Sequence, residues 1–292
     1  MNWQKLNRQG LFPGPKETKE SFLQRVDFCQ HLTFHLQQHP DVKFPFPISD
    51  QVINNEITKD AFLLCSKTFG MMPDWALIIF HNYKLLPWHG GCAWIFQLDA
   101  TSPLCAFLQL RKEFKNYSSY LGIYQRSELI AHEMAHVGRM AYEEPKFEEL
   151  LAYRSSSSFW HKNLSPLVQS ANESLFFVIL LVATLLTSLT ALLVDSFLLT
   201  QLSLLALLAP FIAFIMALLR LLKRQSCLKK TLNNLKKIVC KKDASHLLYR
   251  LSDKEIFLFA NSTPAQISEY IKMQTTCSFR WQFLQQCYFN FS

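Results

Sequence analysis

Two histidines and a glutamate near the middle of the chain have the types and spacing that metal chemistry requires: His132-Glu133-Met134-Ala135-His136. Side chains at i and i+4 of a helix share a face one turn apart, so both imidazoles can reach a single cation. The carboxylate beside the first histidine can then address a water on that cation. Imidazole nitrogens suit Zn2+, and a glutamate so placed suits a general base, so the chemistry would be hydrolysis by a metal-activated water. His31, His35 and His39 also fall at i, i+4 and i+8. They have no adjacent carboxylate and end at Pro40, so they read as partly exposed helix surface.

The motif works only on a helix, and its surroundings predict one. Ser127-Glu128 opens a helical pattern that runs through Met140, with Ser127 as N-cap. Glu143-Glu144-Pro145 breaks it, and a second helix should cover about residues 146–156. Three apolar runs precede the motif, at residues 75–80, 92–98 and 104–110, with turn-rich borders at Pro73-Asp74 and Trp88-His89-Gly90-Gly91. They suit strands of a small sheet, and residues 104–110 can offer a peptide an edge for strand addition. Further upstream, a Gly/Pro-rich lead-in at residues 10–15 gives way to a helix over 21–38, and 61–69 suits a short helix.

At this point the sequence resembles the gluzincin branch of the zincin metallopeptidases, over about residues 104–156, with HExxH as the specific element. The resemblance implies an α+β zincin-like domain over residues 1–170. It also implies a third zinc ligand from a glutamate on the following helix. Glu143, Glu144, Glu148 and Glu149 are the available acids. Glu143 and Glu144 sit at the break; Glu148 and Glu149 lie one turn into the second helix. Glu149 is preferred, because Glu149-Leu150-Leu151-Ala152 resembles the E-x-x-A of some gluzincin-like peptidases. The implied site is therefore Zn2+ on His132, His136 and Glu149, with Glu133 as catalytic base and Tyr153 or Tyr142 as donor to the carbonyl oxygen of a peptide or protein substrate. There is no third histidine in a metzincin arrangement. Arg139, seven residues after His132, reads equally as a partner for one of the glutamates, as a group polarising substrate, or as a surface ion pair.

Between residues 175 and 219 the only charged residue is Asp195. Residues 175–194 and 197–219 are each long enough to cross the ~30 Å hydrocarbon core, and Asp195-Ser196 leaves room only for an immediate turn. The chain is thus expected to enter the lipid bilayer as a helical hairpin, within residues 174–219. Nine basic residues and no acid follow from Arg220 to Lys242. By the positive-inside bias they place both termini and the catalytic domain in the cytoplasm. Without these nine, the +8 chain holds 21 basic against 22 acidic residues. No general nucleic-acid footprint is expected, and the Lys-rich segment fits a charged lipid surface.

Residues 220–292 read as a basic juxtamembrane segment and a small helical tail. A capping box at Ser252-Asp253-Lys254-Glu255 and a Thr263-Pro264 start mark two of its helices. Eight scattered cysteines without a CxxC pair fit reduced thiols, and no cleaved signal segment is apparent at the N-terminus. The leading expectation is a membrane-anchored zinc metallopeptidase. The alternative is a non-enzymatic membrane protein whose zincin scaffold binds zinc and a partner. Two spans without internal ionisable groups argue against a transporter, and the distance of HExxH from the first span argues against an intramembrane protease. The sequence sets no oligomeric state.

Overall fold

The computed structural model describes residues 1–38, 55–168, 171–194 and 196–289. Asn2 accepts the Lys5 amide and starts α1 (Trp3–Arg8), which no apolar periodicity announces. Thr18 caps α2 (Lys19–Gln30) through the Ser21 amide. The single helix expected over 21–38 is two helices. His31 leaves helical geometry, with both its amide and its ring Nδ1 on the Asp27 carbonyl, and α3 (Leu32–Gln38) begins after it. His31 and His35 therefore belong to different helices; His39 and Pro40 lie outside the described residues. The short helix expected at 61–69 is the end of a longer one, α4 (Asn55–Phe69).

The three apolar runs form β1 (Leu77–Phe80), β2 (Gly91–Phe96) and β3 (Cys105–Leu110), in the order β1-β3-β2. β1 runs parallel to β3 and β2 antiparallel to it. The central position of β3 corrects the expectation that residues 104–110 present an edge, since hydrogen bonding on both sides leaves none. Among the described residues the edges of this sheet are the buried β1 and the half-exposed β2. Gly91 is needed there, because a Cβ would stand 2.6 Å from the Gln109 carbonyl oxygen. A hairpin of β4 (Ser119–Tyr120) and β5 (Tyr124–Gln125) leads into α5 (Arg126–Gly138), which carries the HExxH motif, and α6 (Pro145–Ala152) follows. After a 3-10 turn at Tyr153–Ser155 comes α7 (Phe159–Leu164), then a second such turn at Ser165–Leu167.

Two helices are long and apolar enough to cross a membrane, α8 (Ala171–Leu193) and α9 (Phe197–Leu235), and very few of their side chains are buried within the first twenty or so residues. Thr184 on α8 donates to the Ala206 carbonyl of α9 at 3.0 Å, so the two are paired. α9 continues through Pro210. Asp195, expected at the hairpin tip, lies outside the described residues. Beyond Arg220, α9 changes character without interruption: Leu221, Arg224, Leu228, Thr231 and Leu235 form a buried stripe at helical spacing.

That stripe packs on the tail, which consists of α10 (Lys241–Tyr249), α11 (Asp253–Asn261), α12 (Pro264–Cys277) and α13 (Phe279–Tyr288). Both expected helix starts are capping boxes, at Ser252/Glu255 and Thr263/Gln266. The tail does not stand alone, because its apolar residues join one core with those of residues 1–168. Fully buried Arg250 ties the two parts, donating to the Asn7, Phe69 and His246 carbonyls. Among the described residues the result is an α+β fold of thirteen α-helices, a three-stranded sheet and a two-stranded hairpin.

Candidate metal centre

α5 starts two residues earlier than the Ser127 cap predicts. Extended Gln125 occupies the N-cap position without a side-chain bond. The reason lies in Arg126, whose amide donates to Ser118 and whose guanidinium donates to the Phe114 carbonyl, fixing the entry of the chain. The far end is pinned by the tail. Tyr249 donates its hydroxyl to the Ala135 carbonyl, and Gly138 makes room, since a Cβ there would meet the Tyr249 oxygen at 2.5 Å.

Arg139 closes α5 and is buried. It donates to the Tyr249 and Leu251 carbonyls at 2.6 and 3.0 Å and lies over the Tyr142 ring. It therefore binds the tail, which corrects the readings in which it polarises substrate or forms a surface ion pair. Tyr142 is also engaged there, donating to the Arg250 carbonyl, and cannot serve as an oxyanion donor at the motif.

The break between α5 and α6 sorts the four candidate acids. Glu143 adopts a left-handed φ of 52°, and Glu144 turns its carboxylate to the Asp253 amide at 2.7 Å. Glu143 is exposed, Glu144 is taken up by the tail, and neither belongs to the group around the histidines. Glu148 accepts a 2.7 Å hydrogen bond at His136 Nδ1, the outer ring nitrogen. Glu149 faces the inner nitrogens: one of its oxygens lies 3.6 Å from His132 Nε2 and the other 3.6 Å from His136 Nε2, and the two Nε2 atoms are 3.3 Å apart.

These separations test whether a cation fits. Tetrahedral zinc at ~2.0–2.1 Å from nitrogen and oxygen ligands sets its ligand atoms about 3.4 Å apart. The Nε2–Nε2 separation and the contact of each imidazole with its own Glu149 oxygen lie close to that value, and with one ligand atom apiece His132, His136 and Glu149 come within 4.8 Å of one another, a group that could hold a metal ion. Glu148 on His136 supplies the outer hydrogen bond that fixes a ligating imidazole's tautomer and ring direction. Among the described residues His132 has no such partner at its buried Nδ1. Its ring packs against that of Tyr153, tilted by 56° with centroids 4.3 Å apart.

Electrostatics in the cluster are strongly perturbed. Burial raises the Glu133 carboxyl to about 7, against the opposing pull of His136. His136 rises to about 9, because the hydrogen bond to Glu148 and the charges of Glu149 and Glu133 outweigh burial. His132 is pushed well below its ordinary value, first by burial and then by His136. Burial also keeps the Tyr153 phenol protonated far above neutrality.

A cavity of about 260 Å3 opens beside the motif, bounded by Gly91 and Tyr124 on one side and by Tyr153, His161 and Ser165 on the other, with His132 and Glu133 in its wall. The Ala93 amide of β2 donates to Glu133. Of the residues singled out from sequence, the structure thus brings together His132, Glu133, His136, Glu148, Glu149 and Tyr153. His161, Ser165 and Ala93 carry no motif and become visible only once the chain is folded. Comparison of the chain with protein-family models, with curated proteins and with solved structures finds no match in any of the three.

Proposed function

We propose that this chain is a membrane-anchored zinc metallopeptidase of zincin-like architecture, in which His132, His136 and Glu149 hold the ion and Glu133 is the general base. The observation that carries the reading is the convergence of two Nε2 atoms and a carboxylate at 3.3–3.6 Å from one another beside an open cavity. Zinc bound there supplies a Lewis acid and brings the pKa of a coordinated water toward ~7. The remaining work falls to side chains. Glu133, with its affinity for protons raised by burial and its carboxylate oriented by the Ala93 amide, accepts the proton of the attacking water and returns it to the leaving amine. Tyr153 retains its phenolic proton and can donate to the carbonyl oxygen as negative charge develops on it. β2, an edge strand whose Ala93 amide already reaches Glu133, lies where an extended peptide could add beside it.

Structural zinc sites are closed by four protein ligands, whereas catalytic sites leave one position open. Three converging ligands and an adjoining cavity therefore favour the enzyme over a purely structural zinc scaffold. α8 and α9 anchor the domain, and the basic residues after Leu219 favour the cytoplasmic side. The test is hydrolysis of a peptide library by the full chain in detergent, beside Glu133→Gln. The variant should keep its zinc and lose turnover by roughly 10²-fold or more. Full turnover by Glu133→Gln would remove the enzyme reading.

A further inference from the structure

α7 is the unexplained element next to the cavity. It is short and amphipathic, and it turns its large apolar side chains outward: Phe159 is 70% exposed, Trp160 67% and Leu164 42%. The same segment helps build the metal site. His161 and Ser165 line the cavity, and Ser165 hydrogen-bonds Tyr153, the residue whose ring packs against His132. Glu128 of α5 holds the approach to α7, accepting bonds from the Ser156 hydroxyl and the Ser157 amide. Exposed aromatics two side chains from a candidate ligand call for a partner.

Their height along α9 identifies it. Arg220, the first charge after the apolar stretch, pairs with Glu173 at the base of α8, so both helices leave the hydrocarbon at one level. From there α9 contacts the α7 region directly. Arg220 donates to the Leu167 carbonyl, Arg224 to Pro166 at 3.2 Å, and Gln225 to Asn163 at 2.7 Å. Five residues separate Arg220 from Gln225, about 7.5 Å along a helix axis. The polar layer on each side of a bilayer is roughly 5–8 Å thick. Tryptophan and phenylalanine at that depth are the side chains that anchor a protein at the headgroups, with Lys162 able to reach outward to phosphate.

We propose that α7 and the turn after it lie in the headgroup layer, so that the cavity beside His132 opens at the membrane surface and takes membrane-proximal segments of bilayer-anchored proteins. The substrate class rests on the peptidase reading; the position of α7 does not. Lipid is the occupant of the exposed face because that face is continuous with the spans through three side chains of α9.

The test uses the full chain in vesicles of phosphatidylcholine and phosphatidylglycerol. The emission of Trp160 is isolated by subtracting the spectrum of Trp160→Phe. It should be blue-shifted, quenched by lipids with a nitroxide at the headgroup or upper acyl chain, and shielded from iodide. Water-like emission open to iodide and indifferent to the lipid quencher would overturn the placement. The substrate class is read separately, from cleavage of one peptide sequence offered either free or anchored to the vesicle by a short lipidated linker. Phe159→Ser/Trp160→Ser should lower the anchored-to-free rate ratio about tenfold, because α8 and α9 keep the chain in the vesicle while α7 no longer holds the cavity mouth at the headgroup layer where the anchored peptide lies, and leave the free peptide rate unchanged. An unchanged ratio would overturn the substrate class. No hydrolysis of either peptide by the wild type would overturn the peptidase reading and the substrate class with it, while the Trp160 result would still decide the position of α7.

Discussion

Glu148 and Glu149 are neighbours in sequence with different jobs in space. The carboxylate of Glu149 straddles the two inner imidazole nitrogens, whereas that of Glu148 holds the outer nitrogen of His136 at 2.7 Å. Glu149→Ala should therefore empty the site to the same degree as His132→Ala, because two protein ligands rarely hold zinc. Glu148→Ala should retain the ion with an affinity lowered by roughly 10–100-fold, the usual cost of losing an outer-shell partner. Zinc titration of the purified full-chain variants distinguishes the two, and equal losses at both positions would remove the distinction. At this scale the sequence was informative where function imposes a spacing: HExxH is a periodicity, and Glu149-x-x-Ala152 a resemblance. The role of Glu148 was not legible, because it depends on which face of α6 meets α5, and that is set by the left-handed turn at Glu143 and the grip of Asp253 on the Lys146 amide.

Elements were legible in proportion to how local their causes are. β1 and β3 fall within their apolar runs and β2 starts one residue before its own, and the capping boxes at Ser252 and Thr263 mark their helices, since both signals are written within a few residues. The pairing order that makes β3 central is a long-range property, and so is the bracing of α5. The buried Ala135 carbonyl takes its bond from the Tyr249 hydroxyl, over a hundred residues away. Tyr249→Phe should leave that carbonyl without this donor, at a cost of about 1–3 kcal/mol. Because the bond lies one residue from His136, zinc affinity should fall as well. Thermal unfolding in detergent with and without added zinc measures both effects, and an unchanged melting temperature would show that Tyr249 does not brace the motif helix.

For the whole molecule, the chief surprise is that α10 to α13 complete the core of the N-terminal part. The buried ion pair of Glu255 and Arg280, at 2.8 Å and bonded also to Trp281, lies at the centre of that tail. Burial opposes the Glu255 carboxylate, but Arg280 more than compensates, so its folded pKa lies below the ordinary carboxyl value. A depressed carboxyl contributes stability that is fully present above the unfolded pKa of about 4.3 and is lost as pH falls through the folded value. Glu255→Gln should cost about 3–5 kcal/mol at pH 7, and the gap to wild type should narrow as the solution is acidified below pH ~4. Denaturant unfolding at neutral and acid pH checks the sign; a gap that widens in acid would contradict it. Topology is tested independently by Ser196→Cys. Under the proposed topology a membrane-impermeant maleimide should label it in intact cells while the exposed Cys240 and Cys277 stay unlabelled, and labelling of either of those two would contradict it.

The proposed zinc centre of His132, His136 and Glu149 is tested most directly by zinc-edge X-ray absorption of the full chain. The first shell should contain two imidazole nitrogens and carboxylate oxygen at about 2.0–2.1 Å, with one further light atom from solvent. Sulfur at about 2.3 Å, or a zinc signal unchanged in His132→Ala, would place the ion on other residues and contradict the account.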